Sequence, residues 1–316
     1  METRDSPSPA AIEETDFRGK TVALREPARR IVCLIESALS GLYMLGAESR
    51  LVGISTNIYQ SGLFRWYAAL DPRIRSRELP APGNWDFVHL ESVLALRPDL
   101  VILWAHQSEA IAALEEHGIP VFGVFLKSRE EVYREMLALG RLTGRVDRAR
   151  ELVQWTRQEL LQFQESLAGK AQEAVGPRVY FIWAQGSRET SGRGSLVDEL
   201  IRLAGGRNVA AEIDREHAQV SMEKIIAWNP EVILMWPNDR MDPADIRSDP
   251  QWQTVDAVRK GRVHEFSDMF LCDQWTLKFP LAMKISARWI HPEALASLDL
   301  EEEQRRVLAW LYEGKL

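Results

Sequence analysis

The feature that most constrains the fold of this chain is one unit that occurs twice. Residues 88–104 read VHLESVLALRPDLVILW, and residues 220–236 read VSMEKIIAWNPEVILMW. Each copy runs from a glutamate through an apolar helical face to a proline and an acidic residue, and then into an apolar run that ends in tryptophan. This order predicts a helix that stops before the proline and a buried strand after it. We therefore expect two similar α/β lobes.

The rest of the chain alternates strand and helix patterns in the same way, which favours parallel sheets. The apolar residues 30–35 predict a buried strand, and Ser37 is the expected N-cap of the helix that follows. Between residues 146 and 167, apolar side chains recur at helical spacing, which predicts one helix of about 25 residues. The expected architecture is α/β, with two Rossmann-like lobes joined by one long α-helix and a ligand cleft between the lobes.

The expected organisation has five parts. They are a flexible leader (1–20), an N-terminal lobe (21–144), the linking helix (145–172), a C-terminal lobe (173–292) and a C-terminal helical extension (293–316). The leader is expected to be flexible because it is rich in serine, proline and acidic residues and has no apolar core. Either the chain acts in the cytosol, or an export signal has been removed from this sequence.

Composition and motifs exclude several classes of function. With 39 basic and 46 acidic residues the net charge is −7, which argues against a nucleic-acid partner. Cys33 and Cys272 form neither a metal-binding spacing nor a disulfide framework. The chain has no phosphate-binding GxxxxGK[ST] loop and no HExxH motif, and Ser195 lacks the GxSxG context of a nucleophile. We therefore expect neither a cofactor nor an enzyme.

Candidate ligand contacts lie where predicted strands end, because ligands of parallel α/β sheets bind outside the carboxyl ends of the strands. Trp104 and Trp183 each follow an apolar run, and Asn57 and Tyr59 lie in the loop after LVGIS. Trp85 lies in the proline- and glycine-rich loop PAPGNWD. Such aromatic side chains suit a planar or bulky metal chelate, with roughly 0.5–1.5 kcal/mol per aromatic pair beyond area burial. The alternative is that the tryptophans belong to the core.

Polar loops of the second half supply further candidates. His217 could enter an open coordination position of a bound cobalt, iron or nickel, and it is the candidate metal ligand. Arg188 and Arg193 could neutralise an anionic chelate. The alternative for all three is a solvated surface loop. For a small oxyanion, the two arginines and Asn57 could supply the converging donors.

Several segments together resemble the class III substrate-binding proteins of ABC importers. They are PARRIV, the unit before Trp104, the long joining helix, TSGRGSLVDELIRLAGGRNVA and QVSMEKIIAWNPEVIL, and the resemblance covers roughly residues 15–292. It implies two lobes on a rigid helix and a cargo such as a ferric siderophore, vitamin B12, haem, a metal ion or an oxyanion.

The vitamin B12-binding member of that family implies a set of cleft residues. Its aromatic and acidic cleft positions fall on Asn57, Trp85, Trp104, Trp183, His217 and Asp268. Trp85, Trp104 and Asp268 keep the residue type, and Trp183 replaces another aromatic. Asn57 and His217 replace aromatic residues, and Cys272 stands in place of an arginine. The resemblance therefore implies a similar frame without implying cobalamin as the ligand.

The same resemblance implies that one glutamate on each lobe pairs with arginines of the membrane permease. These residues are Glu91 and Glu223, which occupy the same place in the two copies of the repeat. The alternative for each is the ordinary stabilisation of a helix N-terminus by an acid.

These observations predict a monomeric solute-binding component of an ABC importer. It would capture a metal chelate, first of all of the ferric siderophore type, and deliver it to a permease dimer with its ATPase. It would act outside the cell, in the periplasm or as a membrane-anchored lipoprotein. Corrinoid, haem, nickel–histidine, and molybdate or tungstate stay open as cargo on the same scaffold. A two-lobed α/β metallocluster enzyme is the alternative of another class.

Overall fold

The structure is a computed structural model that describes residues 12–170 and 176–316. Its internal contacts divide the chain into two compact units. Unit 1 comprises the residues up to Leu126 together with Tyr133–Val153, and unit 2 comprises Lys127–Val132 together with Gln154–Leu316. Each unit contains its own parallel sheet with helices, which confirms the predicted α/β architecture.

Unit 1 is built on six strands. They are β1 (Ile12–Thr15), β2 (Thr21–Leu24), β3 (Ile31–Cys33), β4 (Leu51–Ile54), β5 (Leu100–Trp104) and β6 (Val121–Val124). The last four form a parallel sheet in the order β4-β3-β5-β6, and β1 pairs with β2 as an antiparallel hairpin. The accompanying helices are α1 (Glu36–Met44), α2 (Asn57–Gln60), α3 (Phe64–Leu70), α4 (Pro72–Arg75), α5 (Leu90–Ala95), α6 (Ser108–Glu116) and α7 (Arg129–Leu142), with a 3₁₀ turn at Glu48–Arg50.

Unit 2 repeats this plan. Its strands are β7 (Arg178–Ile182), β8 (Glu189–Thr190), β9 (Arg207–Asn208), β10 (Ala218–Gln219), β11 (Val232–Met235) and β12 (Val263–Glu265). A parallel sheet has the order β12-β11-β7-β9, and β8 pairs with β10 antiparallel. The remaining helices are α8 (Val146–Lys170), α9 (Leu196–Leu203), α10 (Met222–Trp228), α11 (Pro243–Ser248), α12 (Asp256–Arg259), α13 (Met269–Cys272), α14 (Phe279–Ile290) and α15 (Leu300–Leu311), with a 3₁₀ turn at Pro250–Trp252.

The predicted long helix is present as α8, which has 25 residues. Its buried positions include Ala149, Leu152, Leu160 and Leu167, which keep the helical spacing that predicted it. Residues 171 and 172, the expected end of the linking helix, lie outside the described residues. The prediction that Ser37 is the N-cap of the first helix is wrong. α1 begins at Glu36, its N-cap is Ile35, and Ser37 lies buried in its first turn.

The expectation of a flexible leader is wrong for residues 12–20; residues 1–11 lie outside the described part of the chain. The acidic residues that suggested flexibility are used in the hairpin. Asp16 accepts the main-chain N–H of Arg18 at 2.8 Å and that of Gly123 in β6 at 3.0 Å. The guanidinium of Arg18 reaches Glu115 at 3.1 Å and the carbonyl of Val121 at 3.0 Å. Glu14 pairs with Arg141.

The two copies of the repeated unit fold in the same way. Shortly after each of α5 and α10 comes a residue with positive φ, Arg97 at 45° and Asn229 at 44°, and a proline follows it directly. That backbone turns the chain from the helix into the central strand, β5 in unit 1 and β11 in unit 2. Asparagine tolerates this region, whereas an arginine is uncommon there.

The acidic residue after each proline binds the start of the neighbouring strand. In unit 1, Asp99 accepts the main-chain N–H groups of Arg29 at 2.8 Å and Arg30 at 2.9 Å, just before β3. The guanidinium of Arg30 in turn donates to the carbonyl of Arg97 at 3.0 Å. We call this arrangement the arginine–acid clasp.

Unit 2 has the same clasp at the start of β7. Glu231 accepts the main-chain N–H of Arg178 at 3.0 Å, and the guanidinium of Arg178 donates to the carbonyl of Asn229 at 2.8 Å. The proline–acid pair of the repeat is therefore explained by strand pairing, with the acid joining two adjacent parallel strands at their amino ends.

The C-terminal helix α15 packs on unit 2 through charge and aromatic contacts. Lys284 of α14 and Arg306 of α15 both pair with Glu159 of α8, and both reach Glu303, at 2.6 Å and 2.9 Å. Beside this network, the fully buried Lys278 places its ammonium 3.3 Å from the hydroxyl of Tyr312. Burial lowers the pKa of Lys278 from its ordinary 10.5 to about 8, and Asp273 opposes the shift.

The clasp gives a first prediction. Asp99→Ala removes an acceptor of two main-chain N–H groups, so we expect the free energy of unfolding to fall by about 1–2 kcal/mol. Glu26→Ala, which removes only an exposed ion pair with Arg29, is the matched control and should cost about 0.5 kcal/mol or less. Urea unfolding measures both, and equal losses in the two variants would contradict the clasp.

The second prediction concerns Lys278 and pH. The pKa of Lys278 is about 8 in the folded chain and 10.5 ordinarily. Between these two pH values, the lysine is protonated in the unfolded chain and largely neutral in the folded chain. The free energy of unfolding therefore rises as the pH rises through this window. Wild type should therefore gain about 3 kcal/mol over Lys278→Met across the window. Lys260→Met, at an exposed lysine, controls for the lost charge. A pH-independent difference between wild type and Lys278→Met would disprove the prediction.

Candidate functional site

The carboxyl ends of the strands in unit 1 carry a rigid aromatic loop at residues 83–88. Gly83 bridges to Ser55 after β4 and to Val88, and a side chain at position 83 would collide with the carbonyl of Phe87. This anchoring holds Trp85 out from the surface, with 51% of the residue exposed. The expectation that Trp85 is available to a ligand stays a prediction, and its exposure is compatible with it.

Asn84 organises this loop. Its amide donates to the hydroxyl of Thr56 at 2.9 Å and to the side-chain oxygen of Asn57 at 3.1 Å, while its own oxygen accepts the N–H of Asp86 at 2.8 Å. The sequence analysis named Asn57 but not Asn84. The sequence did contain a signal for Asn84: an asparagine directly after a glycine is typical of a turn in which the side-chain amide binds nearby main-chain groups.

Tyr59, a predicted ligand contact, is engaged in unit 1 itself. Its hydroxyl donates to the carbonyl of Leu79 at 2.9 Å, and the guanidinium of Arg77 lies over its ring at 5.1 Å. The hydroxyl proton is therefore already used.

Trp104 ends β5 and is joined through Gln107 to the wall of an open cavity. Its main-chain N–H donates to Gln107 at 3.2 Å, and the amide of Gln107 donates to the carbonyl of Asn84 at 2.8 Å, which joins this strand end to the loop. The indole N–H of Trp104 is buried and has no hydrogen-bond partner among the residues that the structure describes. The cavity has a volume of about 540 Å³, and its walls include Trp85, Phe87, His106 and Glu109.

In unit 2, the carboxyl ends of the strands carry an indole cluster formed by Trp183, Trp236 and Trp275, with the imidazole of His217 against it. The parallel register pairs Ile182 with Met235, so Trp183 and Trp236 are the next residues of two adjacent strands and share a face of the sheet. Their ring centroids lie 5.4 Å apart. Trp275 stacks on Trp183 at 6.1 Å with an interplanar angle of 24°.

Trp183 is the centre of this cluster and not its outer surface. Only 4% of it is exposed, because His217 covers it at 4.8 Å and the two other indoles pack on its remaining sides. The members of the cluster that stay accessible at its surface are Trp236, Trp275 and His217, and the expected ligand contact at Trp183 stays a prediction. Trp236 ends the second copy of the repeat just as Trp104 ends the first, and that was the signal for it. Trp275 had no signal of this kind.

Of the polar candidates of unit 2, His217 is the one that contacts the cluster. The side chain of His217 is 49% exposed and lies 3.8 Å from a carboxylate oxygen of Glu189. Next to it, burial raises the pKa of Glu216, while His217 and Lys127 oppose the shift. Arg188 is exposed, and Arg193 is an exposed residue 3.8 Å from Asp214.

Asp268 and Cys272 have local roles. One oxygen of the nearly buried Asp268 caps α13 by accepting the N–H of Phe270 at 2.6 Å. Burial raises the pKa of both thiols, Cys33 and Cys272, which disfavours the thiolate form that binds metals. Within the described residues, no group of three or more histidine, cysteine, aspartate or glutamate side chains is arranged to hold a metal ion.

The two predicted docking acids occupy matching places. Glu91 and Glu223 are exposed in the first turns of α5 and α10. A main-chain N–H at the start of α10 and the hydroxyl of Ser221 lower the pKa of Glu223, which keeps it charged. Ile226, one helical turn further along α10, is an exposed apolar neighbour.

Comparison with known proteins gives consistent results. The molybdate-binding protein MolA of Haemophilus influenzae is 24% identical over 310 residues, which cover 91% of this chain and 87% of that protein. A periplasmic solute binding protein from Veillonella parvula has the same fold, with a TM-score of 0.80, 24% identity and coverage of 96% and 93%. The Helicobacter pylori protein CeuE in its nickel–histidine complex gives a TM-score of 0.76 at 20% identity, with 96% of each chain covered.

None of the helices in the described residues combines the length and the apolar character that crossing a membrane requires. The sequence profile of the periplasmic binding proteins matches residues 31–268. That match extends from β3 through Asp268 and includes both copies of the repeat and both aromatic strand ends. Because it spans well over half of the sequence, the chain belongs to the periplasmic binding protein family.

Proposed function

We propose that this protein is the substrate-binding component of an ABC importer and that its cargo is a metal chelate with a flat or bulky organic shell, of the ferric siderophore type. The observation that carries the proposal is the aromatic surface at the carboxyl strand ends of each unit. Trp85 and Phe87 are exposed beside a cavity of about 540 Å³ in unit 1, and Trp236 and Trp275 flank Trp183 in unit 2. Surfaces of this kind bind organic ligands through apolar contact with few polar anchors.

His217 fits the same cargo. An exposed imidazole that rests on an indole can enter one open coordination position of a metal whose other positions are filled by a chelator. Arg188 would balance the charge of an anionic chelate. The same proposal places the protein outside the cytoplasmic membrane, in the periplasm or tethered as a lipoprotein, with the metal entering as cargo and not as a resident cofactor.

A molybdate-like oxyanion is the second candidate cargo. The buried indole N–H of Trp104, which has no partner among the described residues, is a donor that an anion could use. The exposed Arg188 and Arg193 could supply charge, and the relative MolA, named as molybdate-binding, aligns with 91% of the chain. Titration calorimetry with a ferric tris-catecholate chelate, cyanocobalamin, nickel–histidine and molybdate separates the candidates.

The third prediction tests the aromatic surfaces. Trp85→Ala and Trp275→Ala should each weaken binding of the ferric chelate about tenfold, because each removes about 1.4 kcal/mol of aromatic contact. Leu161→Ala removes an equally exposed apolar side chain from α8 and should leave affinity unchanged. Unchanged affinity in both tryptophan variants would refute the aromatic site. Molybdate binding by a protein that ignores the chelates would favour the second candidate.

We further propose that Glu91 and Glu223 dock the protein to arginines of a permease dimer. The support is their identical placement in the two copies of the repeat, their exposure and the apolar neighbour Ile226. Exposed charge pairs act mainly on encounter and register and are screened by salt, so their loss should affect delivery and not capture.

The fourth prediction follows from this docking. The double variant Glu91→Lys with Glu223→Lys should abolish transport in cells, while the affinity for free cargo stays at the wild-type value; each single variant should lie between. The control pair is Glu116→Lys with Glu293→Lys, which makes the same charge change at two other exposed acids. Transport that survives the first pair would disprove the docking assignment, and loss of cargo binding would place these acids in the ligand site.

A further inference from the structure

The segment Asp268–Lys278, which we call the 268–278 loop, follows β12 and carries Trp275 to the indole cluster. Trp275 packs on Trp183 at 6.1 Å and meets Trp236 edge-on at 5.7 Å. Its main-chain N–H donates to Oδ1 of Asp273 at 3.1 Å. The position of this indole therefore depends on where the carboxylate of Asp273 is held.

Lys278 holds that carboxylate from the other side. Its ammonium lies 3.9 Å from Oδ2 of Asp273 and 3.7 Å from the ring centroid of Phe270, in a fully buried position. A buried ammonium needs such partners, because removing it from water is costly. The two oxygens of Asp273 thus connect a fixed buried cation to the backbone of Trp275.

Tyr312, at the end of α15, completes the arrangement from the C-terminus of the chain. Its hydroxyl lies 3.3 Å from the ammonium of Lys278, and its ring stacks on Phe270 at 5.7 Å with an interplanar angle of 26°. Tyr312 is itself buried. A residue outside the family match therefore reaches the base of the loop that forms one wall of the cluster.

The loop also contains a residue that its local hydrogen bonds do not explain. Gln274 is fully buried, and neither its side-chain nitrogen nor its oxygen has a partner among the residues that the structure describes. An unpaired buried amide is unfavourable. The contacts on either side, Asp273 with Lys278 and Trp275 with Trp183, accompany the burial of Gln274 in this loop.

We propose that Tyr312 is a positioning residue for the ligand site, which it sets through Lys278, Asp273 and Trp275. The C-terminal helix then has a function beyond packing, since it determines whether Trp275 is in place in the indole cluster before the cargo binds. This role of Tyr312 adds to the proposed function, and its predicted effect on cargo affinity rests on that function. It applies to the geometry of Trp275 whether or not a chelate is the cargo.

The test is ¹⁹F NMR of the full chain labelled with 5-fluorotryptophan, in which Trp275→Phe and Trp183→Phe assign two resonances. Tyr312→Phe removes only the hydroxyl and keeps the stacked ring. We expect it to shift or broaden the Trp275 and Trp183 resonances. Arg306→Gln is the control, because it weakens the packing of the same helix through Glu159 and Glu303 without touching the 268–278 loop. It should leave both resonances in place.

Binding of the ferric tris-catecholate chelate supplies the second readout. Tyr312→Phe should weaken it about three- to tenfold, the effect of one lost hydrogen bond on a pre-formed site. Asp273→Asn keeps an acceptor for Trp275 but removes the charge that pairs with Lys278, and it should act in the same direction. It also tests the proposal independently should Tyr312→Phe unfold.

The two proposals fail in different ways. Unchanged Trp275 and Trp183 resonances in both Tyr312→Phe and Asp273→Asn, or equal changes in Arg306→Gln, would overturn the positioning role. Absence of chelate binding by the wild-type protein, with the resonance changes present, would overturn the chelate as cargo and leave the positioning role supported.

Discussion

The structure depends first on the arginine–acid clasp at the amino ends of its central strands. In each unit, an acid that follows a proline accepts main-chain N–H groups at the start of the neighbouring strand, and an arginine there binds the carbonyl of the residue with positive φ. The clasp fixes the turn from helix to strand and the register of two parallel strands in one step. The positions of the residues further along these strands, including those at the carboxyl ends, therefore depend on the clasp.

The clasps and the candidate ligand site therefore lie at opposite ends of the same strands. The amino ends carry the clasps, whose partners are largely main-chain atoms and so constrain few side chains. The carboxyl ends carry the aromatic residues, which differ between the two copies in their neighbours: Trp104 binds Gln107 of the cavity wall, whereas Trp236 joins a cluster of indoles. The resemblance to substrate-binding proteins inferred from scattered motifs is confirmed by the family match, and so is the expectation of a binding protein rather than an enzyme.

The parts of the fold that could be predicted are those in which apolar residues recur at a regular spacing in the sequence. The repeat, the long helix α8 and the C-terminal helix all follow from apolar spacing, because packing a helix or strand on a core imposes that spacing. The leader was misjudged because composition cannot show that Asp16 accepts main-chain N–H groups of a distant strand.

The candidate site was only partly predictable, for a similar reason. Trp85 could be recognised from its loop, but the burial of Trp183 depends on Trp275, which reaches it from a different segment. The role of Asn84 depends on two residues after β4. Contacts of this kind arise from the tertiary structure and leave no spacing in the sequence.

The hairpin at the start of the chain has a consequence for how the protein behaves at high concentration. β6 is the outer strand of its sheet, and an uncovered apolar edge strand is a template on which a second chain can add by main-chain pairing. The N–H of Phe17 donates to the carbonyl of Gly123, and the carboxylate of Asp16 accepts the N–H of Gly123. The guanidinium of Arg18 donates to the carbonyl of Val121. A side chain at position 123 would come within 3 Å of the side chain of Arg18, so the glycine leaves room for this arginine. These contacts occupy main-chain groups of β6 with which a second chain would otherwise pair.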